Sequence, residues 1–291
     1  MSNKTSKAVI PVAGLGTRFL PVTKVVPKEL FPIVDRPAIH YVVEEAVRAG
    51  ITEIILINHP NKTLIEDYFR NDTQYDRLLA EKGKGSLLKD VVELNNKIKV
   101  TTVYQKEALG LGHAVLQAKE AVGNDWFMLI LPDMLIDAEP GCCEQLVKVW
   151  QETGKAVIAT EHAPRDMISS YGIIATESCH CEGVSPKQSP AYSARKLHKV
   201  SHLVEKPKLE DAPSDLSIVG RYLLPPSIFS YIENTKPGAI GEIQITDALC
   251  ELAKKESLFA YEFTGKLHDI GDKQGYLSAN GYYSEQYLNH L

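Results

Sequence analysis

Short runs of apolar residues alternate with amphipathic stretches along the first half of the chain. The runs predict buried strands at residues 8–12, 54–57, 100–104 and 126–131. The stretches between them repeat apolar positions at helical spacing and predict helices at residues 38–49, 64–69 and 113–121. Gly50 indicates the end of the first helix, because glycine is favoured just past a helix C-terminus. This alternation is typical of βα units around a mostly parallel sheet.

Beyond Trp150 the pattern contains more strands and fewer helices. It predicts strands at residues 156–160, 172–175, 196–204, 218–224 and 259–263, and helices at residues 242–255 and 274–287. Residues 181–194 are rich in Ser, Pro and Gly and predict a loop, because strand-like sequence continues on both sides of them. We therefore expect a single domain over residues 1–291.

Composition and charge exclude several classes of function. The 291 residues are 44% hydrophobic, which is enough for a large α/β domain with a substantial core. The net charge of -5 gives no broad cationic field, so we expect neither a nucleic-acid partner nor binding to anionic membranes. No apolar run reaches the length of about eighteen residues that a membrane span needs, and residues 1–7 are polar, which predicts a cytoplasmic protein.

The cysteines predict neither a disulfide framework nor a zinc site. Their number is odd, at five, and Cys142 and Cys143 are adjacent. The run Cys179-His180-Cys181 lacks a second ligand pair at the spacing of a zinc site. We expect reduced thiols that have no part in the chemistry.

Two glycines follow the first predicted strand, in the sequence KAVIPVAGLGTRFLP at residues 7–21. A dinucleotide fingerprint needs a third glycine where this chain has Phe19, and an acidic residue after the next strand, where it has Asn58 and His59. A Walker A loop would end in Gly-Lys-Ser or Gly-Lys-Thr, and this loop does not. Neither nicotinamide binding nor a P-loop is therefore favoured.

The residues beyond the glycines favour a phosphate-binding loop. Prolines at positions 21, 27, 32 and 37 lack an N–H and restrict their predecessors, so we expect extended chain rather than a helix. Gly14 and Gly16 let the backbone approach a ligand, and Arg18, Lys24 and Lys28 add positive charge. A tight turn with solvated cations is the alternative, and it would explain Gly-Leu-Gly alone. It does not explain the repeated pattern of Arg, Lys and Pro that follows.

Two acidic residues are candidates for ligand binding. Asp133 follows an apolar run, which suits the carboxyl end of a central strand, where open α/β sheets bind ligands. A cap on the next helix is the alternative for an isolated Asp. Asp269 ends a strand-like piece before Gly271, which permits a close turn, whereas Asp272 is better explained as a surface or capping residue.

Residues 13–37, AGLGTRFLPVTKVVPKELFPIVDRP, closely resemble the signature of the sugar-nucleotide pyrophosphorylase family, and within it the bacterial UTP:glucose-1-phosphate uridylyltransferases. Six further segments match and span nearly the whole chain. They are GLGHAV at 110–115, LPD at 131–133, VEKP at 204–207, VGRY at 219–222, GEIQITD at 241–247 and HDIGDK at 268–273. Together they are specific to the family, although no single short piece is.

The resemblance implies a Rossmann-like nucleotidyltransferase fold in the α/β class. Its mixed, mostly parallel central sheet is flanked by helices and carries a small sugar-binding β subdomain. Residues 1–155 would form a nucleotide-binding half, residues 156–265 a sugar-phosphate-binding half, and residues 266–291 a metal-ligand turn and a C-terminal helix. The implied reaction joins UTP and glucose 1-phosphate into UDP-glucose and pyrophosphate by in-line attack on the α-phosphorus.

The resemblance also implies roles for the charged residues. Arg18 and Lys28 are expected to hold the triphosphate, and Lys206 the phosphate of the incoming sugar. Asp133 and Asp269 are expected to bind Mg²⁺, which prefers one or two carboxylates together with phosphate oxygens.

The sugar site is expected at Glu205, which would accept hydrogen bonds from sugar hydroxyls, and at Gly172, which would leave room for the ring. An exposed ion pair with Lys206 is the ordinary explanation of such a Glu-Lys dipeptide. The family more often has an aromatic residue and a cysteine where this chain has His268 and Ile270, so we expect different packing beside Asp269.

Base recognition needs neutral, directional groups. The residues expected to bind the nucleotide are Ala13, Gly14, Gly16, Thr17, Glu29, Gln105 and Gly110. Among them Gln105 has both a donor and an acceptor for a uracil edge, and Glu29 would accept the uracil N3 hydrogen. Gly110 would let the backbone approach the base. His113 is explained as well by local packing as by a ligand contact.

The sequence leaves other functions open. A thymidylyl- or guanylyltransferase acting on another sugar 1-phosphate is the nearest alternative. A non-catalytic homologue that regulates an active partner should have lost Arg18, Lys28 or an acidic residue, and a nicotinamide oxidoreductase is disfavoured by Phe19. The resemblance implies a homodimer or homotetramer, because family members commonly form dimers and tetramers.

Overall fold

The chain folds around one large mixed sheet, described by a computed structural model for residues 5–177, 196–238 and 241–289. The strands are β1 (Lys7–Pro11), β2 (Pro32–Ile33), β3 (Arg36–Pro37), β4 (Glu53–Asn58), β5 (Lys99–Tyr104), β6 (Phe127–Ile130), β7 (Met134–Asp137), β8 (Ala156–His162), β9 (Gly172–Thr176), β10 (Leu197–Glu205), β11 (Leu216–Leu224), β12 (Leu258–Glu262) and β13 (Lys266–Asp269). The helices are α1 (Ala38–Arg48), α2 (Leu64–Tyr68), α3 (Gln74–Glu81), α4 (Lys89–Asn95), α5 (Leu111–Leu116), α6 (Lys119–Val122), α7 (Cys142–Thr153), α8 (Ile228–Asn234), α9 (Ile245–Glu256) and α10 (Lys273–Leu288).

The main sheet contains nine of the described strands, in the order β5-β4-β1-β6-β11-β8-β12-β10-β9. Strand β1 lies parallel to β4 and β6, β4 parallel to β5, and β8 parallel to β12. Strands β10 and β11 run antiparallel to their neighbours. The expected mixed, mostly parallel sheet is confirmed, and the later strands extend it.

The core has two layers, one on each face of the sheet. Along β1, Ala8 and Ile10 pack with α1 and α7 on one face, whereas Val9 packs with α5 and α9 on the other. All four residues of β6 are buried, as expected for a central strand covered on both faces. The sheet is therefore a rigid base for the turns at its edge.

Three of the predicted elements take a different form in the structure. The helix predicted at residues 113–121 is divided into α5 and α6, and the helix predicted to begin at residue 242 begins at Ile245. The proline-rich segment forms no α-helix before α1, but it is extended only at β2 and β3. It forms three short 3-10 turns, Thr17–Phe19, Val22–Lys24 and Lys28–Leu30, because a single turn needs few backbone N–H donors and is compatible with nearby prolines.

Other expectations are met or lie outside the described chain. Gly50 has a φ of 89° just after α1, which confirms the predicted helix end. Cys142 and Cys143 are buried free thiols. The predicted loop at residues 181–194 and the run Cys179-His180-Cys181 lie outside the described residues. No helix in the described ranges is long and apolar enough to cross a membrane.

Candidate active site

Three parallel strands, with β4 between two of them, deliver candidate residues to one edge of the sheet. Strand β1 leads into the glycine loop, β6 leads into Asp133, and β5 leads into Gln105. The backbone N–H of Gln105 donates to Asn58 O at the end of β4, so the pairing continues to the edge. Because the carboxyl ends of parallel strands lie side by side, these turns surround a common space.

The charged centre of this space combines two acids and two bases. Lys28 Nζ lies 2.6 Å from Asp133 Oδ2, and Arg18 Nη1 donates to Gly271 O at 3.3 Å. A Cβ placed on Gly271 would lie 2.9 Å from Asp269 Oδ1 and 3.5 Å from both Asp133 Oδ2 and Arg18 Nη1. The missing side chain of Gly271 therefore leaves a small cradle bordered by both carboxylates and a guanidinium.

Burial and neighbouring charges shift the pKa values of these groups in different directions. Burial alone would raise the pKa of Asp133, but the adjacent Lys28 ammonium outweighs it and the pKa is lowered. Burial would lower the pKa of Lys28, but Asp133 raises it above its usual value. Burial raises the pKa of Asp269, and the negative charge of Asp133 raises it further. A cation between the two carboxylates would relieve this repulsion.

The donor set at the cradle suits a hard divalent cation. Two carboxylates converge on it, and Mg²⁺ is commonly bound by one or two carboxylates together with substrate phosphate oxygens. Within the described residues no group of three or more His, Cys, Asp or Glu side chains could enclose a metal ion. Asp133 and Asp269 would supply two ligands to such a cation, and substrate and water would have to supply the others.

Tyr171 connects this centre to the second lysine. Its hydroxyl donates to Asp269 Oδ2 at 3.1 Å, and its carbonyl accepts the backbone N–H of Lys206 at 3.1 Å. Lys206 has a φ of 45°, an uncommon left-handed conformation for a residue with a side chain. Its side chain is 58% exposed, with Nζ 3.7 Å from Glu205 Oε1. The ammonium is therefore available to a ligand.

Glu205 is held at the end of β10 by a second hydroxyl. Thr246 Oγ1 donates to Glu205 Oε2 at 3.2 Å, which leaves the rest of the carboxylate free of hydrogen bonds within the described residues. A Cβ on Gly172 would lie 3.0 Å from Ile218 Cδ1 and 3.3 Å from Glu205 Oε2. Any side chain at position 172 would therefore crowd the carboxylate.

The glycine loop is fixed by Lys62, a residue that the sequence did not indicate. Its ammonium has three N–H donors, and it donates to Val12 O at 2.6 Å, Gly14 O at 2.8 Å and Glu29 Oε2 at 3.1 Å. Burial raises the pKa of Glu29 and lowers that of Lys62, because desolvation disfavours charge on both. The space beside Gly14 is open, so its backbone is accessible.

The position of Glu29 revises its expected role. Its side chain is 1% exposed and paired with Lys62, which argues against a contact with uracil. In the same loop Gly16 has a φ of 62°, and its carbonyl accepts the Thr23 hydroxyl, while Thr17 is exposed. Ala13 precedes Gly14 at the loop entrance and is partly exposed.

The turn after β5 forms a separate polar cluster. Gln105 Nε2 lies 3.0 Å from His113 Nδ1 and 3.4 Å from Gly110 O. A Cβ on Gly110 would lie 2.6 Å from Ile243 O, so the glycine is required by this close approach whether or not a base binds. Ile243 also pairs with the turn through both backbone groups, donating to Leu109 O and accepting from Gly112 N–H, each at 2.8 Å.

A buried ion pair supports the turn that carries Asp133. Arg221 is fully buried and its Nη2 lies 2.7 Å from Glu45 Oε2. Its guanidinium also donates to Leu131 O at 3.1 Å and to Met134 O at 2.8 Å, the carbonyls on either side of Pro132 and Asp133. Arg221 therefore fixes the backbone on both sides of the carboxylate.

The second carboxylate is positioned by the start of α10. Asp272 caps this helix by accepting the Gly275 N–H at 2.9 Å, which confirms its assignment as a capping residue. The Gly271 N–H donates to Asp269 Oδ1 at 2.8 Å. His268 is buried against the rings of Tyr282 and Tyr283, so the unusual residue before Asp269 is accommodated by aromatic packing.

The structure thus brings Arg18, Lys28, Asp133 and Asp269 together, and places Glu205 with Gly172 in a neighbouring group. In the described part of the chain, Lys206 is linked to the first group through Tyr171. Lys62, Tyr171 and Thr246 were missed as site residues. The last two had a usable signal, because Tyr171 precedes Gly172 and Thr246 lies within the segment GEIQITD, whereas Lys62 is an isolated lysine in a polar loop.

Known proteins resemble the chain over nearly its whole length. Residues 7–286 match the family described as nucleotidyl transferase. The UTP–glucose-1-phosphate uridylyltransferase of Staphylococcus haemolyticus (strain JCSC1435) is 42% identical over 271 residues, 93% of this chain and 89% of that protein.

Two solved structures share the fold. UDP-glucose pyrophosphorylase complexed with UDP-glucose has a TM-score of 0.85 at 37% identity, over 97% of this chain and 100% of that chain. UTP-bound UGPase from Acinetobacter baumannii has a TM-score of 0.84 at 41% identity, over 96% of this chain and 93% of that chain.

Proposed function

Because the chain belongs to the nucleotidyl transferase family, we propose that it forms UDP-glucose and pyrophosphate from UTP and glucose 1-phosphate. The observation that carries this proposal is the convergence of Arg18, Lys28, Asp133 and Asp269 around the cradle at Gly271. Two cations and two carboxylates at one point suit a reaction in which charge moves between phosphates.

The nucleotide is proposed to bind at residues 1–155. The open backbone at Gly14 admits the ligand, and Arg18 and Lys28 neutralise the triphosphate. Arg18 suits the β- and γ-oxygens because a guanidinium offers several donors in a plane. The Lys28 ammonium is hydrogen-bonded to Asp133. When a phosphate is bound, the protonated ammonium can move from that carboxylate toward a phosphate oxygen.

The sugar phosphate is proposed to bind at residues 156–265. Glu205 accepts hydrogen bonds from sugar hydroxyls, and the exposed Lys206 ammonium holds the phosphate. An oxygen of that phosphate attacks the α-phosphorus of UTP in line with the departing pyrophosphate, and no covalent enzyme intermediate forms. The left-handed backbone of Lys206 and its hydrogen bond to Tyr171 O fix the point from which the lysine side chain extends.

Members of this family typically use a divalent metal, and we propose Mg²⁺ held by Asp133 and Asp269. When bound it would neutralise charge on the phosphate oxygens and orient them. Assembly as a homodimer or homotetramer and a cytoplasmic location stay predictions.

A substrate screen tests the proposed reaction. Purified protein is mixed with each nucleoside triphosphate and each sugar 1-phosphate, with and without Mg²⁺, and pyrophosphate release is measured. We expect the highest rate with UTP, glucose 1-phosphate and Mg²⁺. A higher rate with dTTP or GTP would favour the alternative thymidylyl- or guanylyltransferase, and no release with any pair would favour a non-catalytic homologue.

Arg18 and Lys206 are expected to act on different substrates. Arg18→Ala should raise the KM for UTP about tenfold, because it removes a charge-assisted contact to the triphosphate. Lys206→Ala should raise the KM for glucose 1-phosphate by a similar factor of about ten and also lower kcat, since charge shifts onto that phosphate in the transition state.

Steady-state kinetics with each substrate varied in turn separates the two effects. Lys199→Ala is the control for Lys206→Ala, because Lys199 is an exposed lysine of β10, the strand just before Lys206, and pairs with Glu177. If Lys206→Ala abolished UTP binding and left the glucose 1-phosphate dependence unchanged, the two sites would have been assigned in reverse.

Tyr171→Phe is expected to lower kcat about threefold to tenfold and leave UTP binding unchanged. The hydroxyl orients Asp269 without touching the triphosphate, and one neutral hydrogen bond has an effect of this size. Tyr231→Phe is a matched control, because that hydroxyl also donates to a carboxylate, Glu256, but far from the cradle. Equal rates for Tyr171→Phe and the unaltered protein would remove the positioning role.

A further inference from the structure

We infer that His113 determines the choice of pyrimidine base by fixing the orientation of the Gln105 side-chain amide. This inference rests on the proposed function and on the role in base binding that the resemblance implies for Gln105. His113 is a positioning residue in this scheme, since it contacts Gln105 and not the nucleotide.

The two ends of the Gln105 amide have different surroundings. Its Nε2 lies 3.0 Å from His113 Nδ1 and 3.4 Å from Gly110 O. A backbone carbonyl can only accept, so Gly110 requires the N–H end of the amide on this side. Within the described residues Gln105 Oε1 has no hydrogen-bond partner, although the residue is only 7% exposed. The oxygen is therefore free for a ligand.

The imidazole of His113 must accept at Nδ1 to maintain this orientation. In a neutral imidazole one nitrogen accepts and the other carries the proton, which places the proton on Nε2. Gln117 Nε2 lies 3.3 Å from His113 Nε2 and donates one N–H to His113 O at 3.1 Å. Its second N–H competes with Gln105 for the single acceptor of a neutral ring, and the shorter contact of 3.0 Å favours Gln105.

The backbone that carries His113 is fixed by hydrogen bonds. His113 lies in the first turn of α5, and the preceding Gly112 N–H donates to Ile243 O at 2.8 Å. Ile243 in turn donates to Leu109 O, so the turn is fixed on both sides of Gly110. Rotation of the Gln105 amide is therefore opposed by an acceptor that is carried on a fixed backbone.

The orientation of this amide decides which base it accepts. Uracil presents a donor at N3, which matches the free Oε1, whereas cytosine presents an acceptor at N3. An amide rotated by half a turn would present N–H to N3 and match cytosine instead. Glu29 is buried and paired with Lys62, so we expect Gln105 to accept the hydrogen bond from uracil N3.

The test compares UTP with CTP. His113→Leu should reduce the ratio of kcat/KM for UTP to that for CTP by about tenfold or more, because the amide is then held only by the longer contact of 3.4 Å to Gly110 O. His113→Asn keeps an acceptor oxygen at this position and should retain most of the ratio. Gln117→Leu alters the same cluster without touching Gln105 and should leave the ratio unchanged.

Direct binding of UTP and CTP by calorimetry to the same variants separates this inference from the proposed reaction. If the unaltered protein released no pyrophosphate but still preferred UTP over CTP, and His113→Leu lost that preference, the role of His113 would stand without the reaction. An unchanged preference in His113→Leu, with UTP binding retained, would overturn it. So would an equal loss of preference in Gln117→Leu.

Discussion

Replacing Asp133 with Asn is expected to reduce kcat by on the order of 10² or more, the size of effect seen for single electrostatic groups that act on transition-state charge. The substitution keeps the shape of the side chain and removes its charge. Lys28 then loses its partner at 2.6 Å, and the cradle at Gly271 keeps only the carboxylate of Asp269. UTP should still bind, because Arg18 and Lys28 remain.

Pyrophosphate release and UTP binding are measured on the same preparation. Asp137→Asn is the matched control, because Asp137 lies at the other end of β7 and accepts from Tyr282 and Gln286 on α10, outside the cradle. Full turnover by Asp133→Asn, or by the unaltered protein in excess EDTA, would contradict the metal assignment.

Glu45→Gln is expected to lower the free energy of unfolding by about 3 to 5 kcal/mol, the cost of leaving a buried charge without its partner. Arg221 is fully buried, and its other donors already serve Leu131 O and Met134 O. The change also weakens the acceptor for the Cys143 N–H at the start of α7. Urea denaturation followed by circular dichroism measures the loss.

The exposed pair between Lys119 and Glu233 provides the control. Its two atoms are 2.6 Å apart, close to the distance in the buried pair, but both side chains are more than two-fifths exposed. Glu233→Gln should leave the denaturation midpoint nearly unchanged, because solvent screens such pairs. If Glu45→Gln and Glu233→Gln had equal effects, the buried pair would not support the fold.

The same pair predicts how stability responds to acid. Burial alone would raise the pKa of Glu45, but Arg221 outweighs it and holds the pKa below the ordinary value of 4.5. The stabilisation is therefore fully present above that value and is lost as the pH falls through the lower pKa of the folded state. Glu45→Gln should remove this part of the acid sensitivity.

The sheet and half of the site could be predicted from the sequence, because the patterns that indicate them are local in the chain. The apolar run before Asp133 predicted a buried strand with an acid at its end, and the cations after Gly16 indicated phosphate. Helix α7 was not predicted, although Cys142, Leu146, Val149 and Trp150 repeat at helical spacing. Helix α3 has no buried residue, so it lacks the apolar stripe that the pattern detects.

The contacts that support the site could not be predicted from the sequence, because they join residues far apart in the chain. Arg221 and Glu45 are 176 positions apart, and Tyr171 and Asp269 are 98 apart. Glu29 illustrates the same difficulty, because a glutamate near a phosphate loop suggests a ligand until its buried lysine partner is known. Such pairs are set by the three-dimensional arrangement of the helices, strands and turns that carry them.

The backbone pairing of Ile243 with residues 109–112 gives the two substrate positions a common support. Ile243 is bonded to the turn beside the base, and three residues later Thr246 holds Glu205 beside the sugar. A nucleotide that orders this turn would lower the entropy cost of ordering the sugar carboxylate, which is positive cooperativity without a change in the sheet. Thermodynamic linkage then requires reciprocity: whatever factor UTP contributes to the affinity for glucose 1-phosphate, glucose 1-phosphate contributes to the affinity for UTP.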